Sequence, residues 1–331
     1  MIARIGIDIA KKLYSVVILI GEKMLTSEFT NDVKGHAQMM RWVKRATKNI
    51  ERVFIMEATS TYHLDLALYL FSKGEKVAVV NPRPVHNFRK ALDFKNKTDI
   101  TDAQVIARYG VMKNPKLWEP PTPQIAELRD LVKRREELLK MINQEICRQK
   151  TPGFSQTRKE SVDRMLMNLK EELAIIETRI REIVKDDEEI KKAVELFQSI
   201  FGIGPVVAFT IVAIVGDIML FRNKGALKAF LGVNPQQFRS GSSINYSRMS
   251  KNGSAIARKH LYMAARVAAH DGGIFQEYVT SLMAKGRCYN SAIAALMRKM
   301  TGIIYAVWST ETPFSEDIYY QIKKKFANST C

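Results

Sequence analysis

The apolar residues of this chain follow one pattern before a cluster of four prolines, at positions 115, 120, 121 and 123, and another pattern after it. Before the cluster, short β-branched runs alternate with helix-like segments. After it, apolar residues recur at helical spacing without strand-like runs. Alternating strands and helices are typical of an α/β domain whose helices pack on a mixed sheet. The sequence therefore predicts an α/β domain over residues 1–119 and helical structure beyond.

The α/β part contains four apolar runs that predict strands. The first two are separated only by Ala10, Lys11 and Lys12, a spacing that predicts a β-hairpin. The predicted strands are 2–9, 14–20, 52–56 and 76–80, and the predicted helices are 35–48, 63–73 and 99–112.

Beyond the prolines, apolar residues recur at steps of three, four or seven residues, as in a coiled-coil seam, with Arg135 at one position of the earlier series. The longer series is Leu166, Leu169, Leu173, Ile176, Ile180 and Ile183, extended by Ile190 and Val194, and the earlier one is Leu128, Leu131, Leu138 and Ile142. We expect an antiparallel coiled-coil hairpin over 120–195 that serves oligomerisation. Two ordinary amphipathic helices packed on a domain remain the alternative. A mostly helical domain at 196–310 and a tail at 311–331 follow.

The charge of the chain is strongly unbalanced. It carries 52 Lys and Arg against 34 Asp and Glu, a formal net charge of +18. The segment 222–299 alone holds 13 basic and 2 acidic residues. Such an excess favours a polyanionic partner, either nucleic acid or an anionic membrane surface. Three cysteines without a CxxC pair, and no apolar run long enough to span a bilayer, predict a cytoplasmic protein with no membrane association.

Four carboxylates stand where strands end or a helix begins. Asp8 interrupts the first apolar run, Glu57 follows the run at 52–56, and Asp99 and Asp102 lie three apart at a predicted helix start. Ligand sites in open sheets gather outside strand ends, and several hard oxygen donors suit one or two Mg²⁺ ions. Individually, Asp8 could be a strand-end turn residue and Asp99 a helix N-cap. Jointly, in a basic protein, the four predict a metal site.

Two glycine-bearing segments indicate contact with phosphate. The motif FGIGP holds Gly202 and Gly204 between two helices, which predicts either helix–hairpin–helix contact with a nucleic-acid backbone or a plain turn. The loop NPQQFRSGSS follows a helix and has basic residues around it. We expect these basic residues to contact backbone phosphates, and they are Arg239, Arg248, Lys251, Arg258 and Lys259. From the residues alone, a flexible backbone-binding loop explains this segment better than a nucleophile does.

These motifs together resemble the DEDD transposases, a family that includes the Piv-type DNA invertases. The resemblance is carried by GIDIAKK, MEATSTYH and NKTDITDAQVIAR, and in the second half by FGIGPVVAFTIVAIVGDI, FRNKGALKAFLGVNP, RSGSS and SKNGSAIARKHLYMAA. It spans nearly the whole chain. It implies a RuvC-like, ribonuclease-H-like fold for the α/β domain and recombination of DNA for an insertion sequence.

The resemblance also implies a chemistry and its partners. Asp8, Glu57, Asp99 and Asp102 would bind Mg²⁺, and a serine would form a covalent bond to DNA. Family members often read SSG at the serine; here Arg239 takes the first position, so Ser240 is the natural match, with Ser242 and Ser243 as substitutes. The implied partners are donor and target double-stranded DNA, a structured non-coding guide RNA, and copies of the same chain, as a dimer and as a tetramer on DNA. When acting, the protein would associate with the nucleoid.

Two other functions fit the same residues. One is a RuvC-like metal-dependent nuclease that hydrolyses DNA junctions without a covalent step. The other is a non-catalytic nucleic-acid-binding protein whose carboxylates are structural.

Overall fold

The computed structural model describes residues 2–58, 61–92, 98–240, 244–270 and 273–316, except for the side chains at positions 239, 240, 244 and 245. The chain divides into two compact units, residues 1–120 and 121–331. The first unit is α/β and the second is mostly helical. This agrees with the predicted class of each part of the chain.

The first unit is built on a mixed five-stranded sheet. Its elements are β1 (Ile2–Ile9), β2 (Leu13–Ile20), β3 (Lys23–Thr30), α1 (Val33–Thr47), β4 (Glu51–Glu57), α2 (Leu64–Ser72), β5 (Lys76–Val80), α3 (Pro82–Ala91) and α4 (Asp99–Lys113). The strand order is β3-β2-β1-β4-β5, with β1 antiparallel to β2 and parallel to β4. The predicted hairpin at 2–20 is confirmed. Strand β3 and helix α3 were not predicted.

Helices cover both faces of this sheet. One face packs against α1 and α2 in a core that includes Ile5, Ile7 and Phe54. The other face packs against α4. A Cβ added to Gly6 of β1 would lie 2.1 Å from the carbonyl oxygen of Ala103, so only glycine lets α4 lie this close to the strand. This close packing fixes where α4 begins relative to the end of β1.

The second unit begins with two long helices, α5 (Pro123–Gln149) and α6 (Gln156–Asp186). They run antiparallel, because Arg135 near the middle of α5 bonds Glu177 and Gln149 at its end bonds Asp163 near the start of α6. The seam residues Leu166, Ile180 and Ile183 are buried within the chain itself. A helical hairpin is therefore present, and a coiled coil between subunits stays a prediction.

The expected continuation of this seam to Ile190 and Val194 is wrong. Helix α6 ends at Asp186, and the Asp187 side chain accepts a hydrogen bond from the backbone N–H of Ile190, capping a separate helix. The remaining elements are α7 (Glu188–Gln198), α8 (Pro205–Val215), α9 (Lys224–Phe230), β6 (Pro235–Ser240), β7 (Ile244–Met249), α10 (Ala255–His270), α11 (Gly273–Ala284) and α12 (Tyr289–Thr310). Ile190 and Val194 belong to the core that these helices share.

The segment expected to be a loop is a β-hairpin. Strands β6 and β7 pair antiparallel with Pro235 opposite Met249 and Ser240 opposite Ile244. Phe238 and Tyr246, which face each other across the pair, supply the aromatic residues that favour strands. This hairpin is the one pair of strands described in the otherwise helical segment 196–310.

Candidate functional site

Asp8 and Glu57 lie side by side near the C-terminal ends of two neighbouring strands of the sheet. Strands β1 and β4 are parallel with Ile7 opposite Met56, so Asp8 and Glu57 are the next residues along neighbouring strands. Asp8 lies inside β1, opposite Ser15 of β2, and is not the turn residue considered from sequence. Both side chains are partly buried. The structure thus brings together two of the four predicted carboxylates.

Asp99 and Asp102 occupy the first turn of α4, as predicted. The N-cap is Thr98, whose hydroxyl accepts a hydrogen bond from the backbone N–H of Thr101, so Asp99 is not the cap. Asp99 is exposed, whereas Asp102 is partly buried. Since α4 packs on Gly6, two residues before Asp8, the helix start lies near the same strand ends.

A cavity of about 430 Å³ joins the end of β4 to the start of α4. Its polar lining is the Glu57 and Asp102 carboxylates together with basic side chains of α3, namely Arg83, His86 and Arg89. Arg89 forms an ion pair with Asp102, and both side chains are partly buried. Helix α3 was not among the helices predicted from the sequence. Its signal was available, because Asn81 caps the helix before Pro82 and the basic residues recur every three positions.

The chemistry of these carboxylates can be compared with what a divalent cation needs. Within the described ranges, no three His, Cys, Asp or Glu side chains form a group that could hold a metal ion by themselves. Mg²⁺, however, keeps several waters and commonly takes only one or two carboxylates plus substrate phosphates. Glu57 and Asp102 share a cavity, and the ion pair with Arg89 shows that the Asp102 carboxylate accepts a cation there. The carboxylate oxygens of Glu57 and Asp102 are therefore a suitable donor set for Mg²⁺.

Ser240 is the last residue of β6. Arg239 precedes it in the same strand, and the two other candidate serines, Ser242 and Ser243, lie outside the described residues. Arg248 of β7 stacks on the ring of Phe238, with its guanidinium carbon 4.8 Å from the ring centre. Lys251 follows the hairpin and is exposed. The candidate serine is thus carried on an antiparallel ribbon, and the basic residues around it come from both strands and the segment after them.

Comparison with known proteins assigns the chain to a family. A transposase family model matches residues 5–151, and a second, described as "Transposase IS116/IS110/IS902 family", matches residues 194–280. The pilin gene-inverting protein of Moraxella bovis is 30% identical over 318 residues, which cover 95% of this chain and 98% of that protein. The chain belongs to the IS116/IS110/IS902 family of transposases. The transposase of insertion sequence element IS1111A from Coxiella burnetii is 27% identical over 271 residues, 73% of each chain.

The family resemblance read from the motifs is therefore confirmed. This family membership makes it a DNA recombinase. None of the described helices is long and apolar enough to cross a membrane.

In the transposase, the two glycines of FGIGP have different surroundings. Gly202 has a φ of +86°, and a Cβ there would lie 2.6 Å from the carbonyl oxygen of Ala264 in α10. Packing inside the unit explains why this residue is glycine. Gly204 is exposed at the N-terminus of α8 with open space around its Cβ position. Contact between Gly204 and a phosphate stays a prediction.

Two of the expected phosphate-binding cations already have partners within the transposase. Arg258 donates hydrogen bonds to the carbonyl oxygens of Leu231 and Gly253, and its burial lowers its pKa. Lys259 donates to Glu136, with 2.7 Å between Nζ and Oε2. Glu136 also contacts His260 of α10, with 2.7 Å between Oε1 and Nε2. These contacts hold α10 against α5 and α9, so Arg248 and Lys251 are the stronger candidates for backbone contact.

Proposed function

We propose that this transposase cuts and rejoins DNA strands for its insertion sequence by Mg²⁺-dependent chemistry with a covalent serine intermediate. The observation that supports it most is the cavity that Glu57 and Asp102 line together with the basic side chains of α3. Carboxylates for a metal and cations for phosphates are the two components that phosphodiester chemistry needs. The name of the Moraxella relative, a gene-inverting protein, supports DNA as the substrate.

Glu57 and Asp102 would hold the metal, with Asp8 and Asp99 near the same strand ends as further oxygen donors. When bound, Mg²⁺ supplies positive charge to the scissile phosphate as negative charge develops there. The side chains of Arg83 and His86, on the wall contributed by α3, would orient that phosphate. A metal at Asp102 would compete with Arg89 for that carboxylate, because Arg89 and Asp102 form an ion pair.

Ser240 is the proposed nucleophile. Its hydroxyl oxygen attacks phosphorus and forms a phosphoserine ester, while the bond from phosphorus to a sugar oxygen breaks and that oxygen leaves with a proton. Attack by the hydroxyl of another strand on the ester then rejoins DNA and restores the serine. The bond energy is kept in the ester, so exchange needs no high-energy cofactor. A serine hydroxyl is a weak nucleophile at neutral pH and needs a base or metal to activate it.

The decisive experiment traps the intermediate. The full-length protein with Mg²⁺ and DNA carrying the insertion-sequence ends should give a denaturation-resistant adduct, and mass spectrometry after nuclease digestion should locate the link at Ser240. Ser240→Ala should bind DNA normally and give no adduct. A link at Ser242 or Ser243 would move the assignment within the loop. Normal metal-dependent cleavage without any adduct would favour the hydrolytic nuclease.

Asp102→Asn tests the metal component. It should abolish strand cleavage and leave RNA binding intact, because it removes a ligand oxygen charge without changing the shape of the residue. Full cleavage by this variant, or by wild type in EDTA, would contradict the metal site. Absence of cleavage under all conditions would instead favour the non-catalytic binding protein.

Guide RNA and oligomerisation complete the proposal. The family resemblance supports a structured non-coding RNA as guide and a dimer that forms a tetramer on DNA. Purification of the full-length protein from cells that carry the element should co-purify that RNA, and ribonuclease treatment should abolish recombination. Undiminished recombination after ribonuclease treatment would exclude the guide. Light scattering with and without paired DNA ends tests the change from dimer to tetramer.

A further inference from the structure

The β6–β7 hairpin carries an aromatic stack that the proposed chemistry does not use. The rings of Phe238 and Tyr246 are stacked, with 5.0 Å between their centres and 16° between their planes. Arg248 lies over the Phe238 ring, 4.8 Å from its centre. Tyr246 keeps 53% of its surface exposed despite these contacts. A large aromatic side chain that stacks on a ribbon, yet is half open to solvent, is poorly explained by core packing.

The stack lies close to the proposed nucleophile in the strand register. Phe238 pairs with Tyr246, and two positions further along the register Ser240 pairs with Ile244. Two residues of a strand span about 7 Å. A base and the phosphate of its own nucleotide are separated by one sugar, which is a span of the same order. A nucleotide whose phosphate is at position 240 could therefore place its base at the level of the stack.

We propose that Phe238, Tyr246 and Arg248 form a stacking platform for an unpaired DNA base next to the scissile phosphate. The ring of Tyr246 offers a flat apolar face, and every nucleobase has a matching face that is free only when the base is unstacked. Arg248 adds positive charge for the adjoining backbone in a segment that is strongly basic. The ligand is DNA because the same ribbon carries the serine proposed to attack DNA, and to this extent the platform rests on the proposed function.

The platform assigns a binding preference that charge alone does not give. Basic residues attract duplex and single-stranded DNA alike, since both carry phosphates. Stacking requires an exposed base face. It therefore contributes to the binding of single strands and of duplexes with a displaced base, but not to the binding of an intact duplex. Strand exchange needs such displaced bases at the point of cleavage. The hairpin would hold one of them while the phosphate reacts.

The test measures binding of full-length protein to a single-stranded oligothymidine and to a duplex of the same length. Tyr246→Leu should weaken single-strand binding about 5- to 150-fold and leave duplex binding unchanged. Tyr246→Phe should bind like wild type, because it keeps the ring. Tyr289→Leu is the matched control, since Tyr289 of α12 is also exposed, at 40%, and lies outside the ribbon. It should leave both affinities unchanged.

A fluorescent base supplies the second measurement. A single 2-aminopurine in the oligothymidine should be quenched on binding by wild type and Tyr246→Phe, and less by Tyr246→Leu. Equal single-strand binding by Tyr246→Leu and wild type would overturn the platform, as would equal loss for duplex and single strand. Binding to an oligouridine of the same length is measured in parallel, and a loss confined to oligouridine would overturn DNA as the occupant. Because binding needs no covalent step, normal Tyr246-dependent binding without an adduct would contradict only the serine mechanism.

Discussion

Arg89 lies with its guanidinium against the Asp102 carboxylate, so the proposed metal ligand already has a positively charged partner. Arg89→Gln should raise the affinity for Mn²⁺ by about two- to fivefold, because the metal no longer competes with the guanidinium. This factor corresponds to the free energy of one partly exposed ion pair. Asp102→Asn should lose that binding. Isothermal titration calorimetry measures both. Arg83→Gln, which alters the same cavity without touching the pair, is the control, and an affinity unchanged by Arg89→Gln would contradict the competition.

Gly202 and Gly204 offer a matched test of packing against contact with nucleic acid. Gly202→Ala should lower the free energy of unfolding by about 2 kcal/mol or more, because the residue has a positive φ and its Cβ would collide with the backbone of α10. Gly204→Ala should cost little, since that position is open. Denaturant titrations compare the two variants. Equal free energies of unfolding for the two variants would show that α10 can move away from a Cβ at position 202 without loss of stability.

At the scale of elements, the α5–α6 hairpin buries its seam within the subunit and leaves other apolar side chains outside. Ile180 is 1% exposed, whereas Met167 and Ile175 of α6 are 57% and 61% exposed. These two are eight residues apart, and so lie on one side of the helix, where a second subunit could pack against them.

Ile175→Asp should therefore lower the oligomeric mass in light scattering and leave the melting temperature unchanged. Ile180→Asp should instead lower the melting temperature, because it buries an unpaired charge inside the hairpin. An unchanged mass for Ile175→Asp would place the subunit interface elsewhere.

A second contact between elements predicts a pH dependence. Burial lowers the pKa of His260, outweighing the hydrogen bond to Glu136 that raises it. Burial raises the pKa of Glu136, but the bonds from Lys259 and His260 outweigh it and leave that pKa lowered. A group whose pKa is lowered by folding stabilises the fold above its unfolded pKa, and that contribution is lost as pH falls.

The melting temperature should therefore fall as pH drops below about 6.5, the ordinary value for histidine. His260→Gln keeps a donor for Glu136 and cannot be protonated in this range, so its melting temperature should depend less on pH between 6.5 and 5. Identical pH profiles for wild type and variant would assign the dependence to other groups.

At the scale of the whole molecule, the positive charge of 222–299 is divided between structural and available cations. Lys251→Gln should flatten the dependence of log K for duplex DNA on log salt by about 0.9, the release expected for one phosphate contact. Arg258→Gln should lower the melting temperature and leave the slope unchanged, because Arg258 bonds the carbonyl oxygens of Leu231 and Gly253. Fluorescence anisotropy across a salt series measures the slope. A flatter slope for Arg258→Gln alone would reverse these assignments.

The elements whose apolar pattern is local were predictable from the sequence. The hairpin at 2–20, the strands ending at Glu57 and Val80, the helix beginning at Asp99, and the two long helices of the second unit all follow from periodicity and capping. The family was predictable too, because its motifs combine residue types in a fixed order. These features depend on neighbours along the chain, so the chain alone specifies them.

The tertiary structure decided which of the predicted residues contact each other and which already have hydrogen-bond or ion-pair partners within the chain. Helix α3 places Arg89 against Asp102. The Arg258 side chain donates hydrogen bonds to the carbonyl oxygens of Gly253 and Leu231, which are 5 and 27 positions away in the sequence. The β6–β7 ribbon forms where the sequence suggested a loop, because cross-strand pairs such as Phe238 with Tyr246 stabilise it. Glu136 reaches His260 across 124 positions of sequence. Such contacts depend on distances in space that no spacing along the sequence encodes, and so only the folded chain determines them.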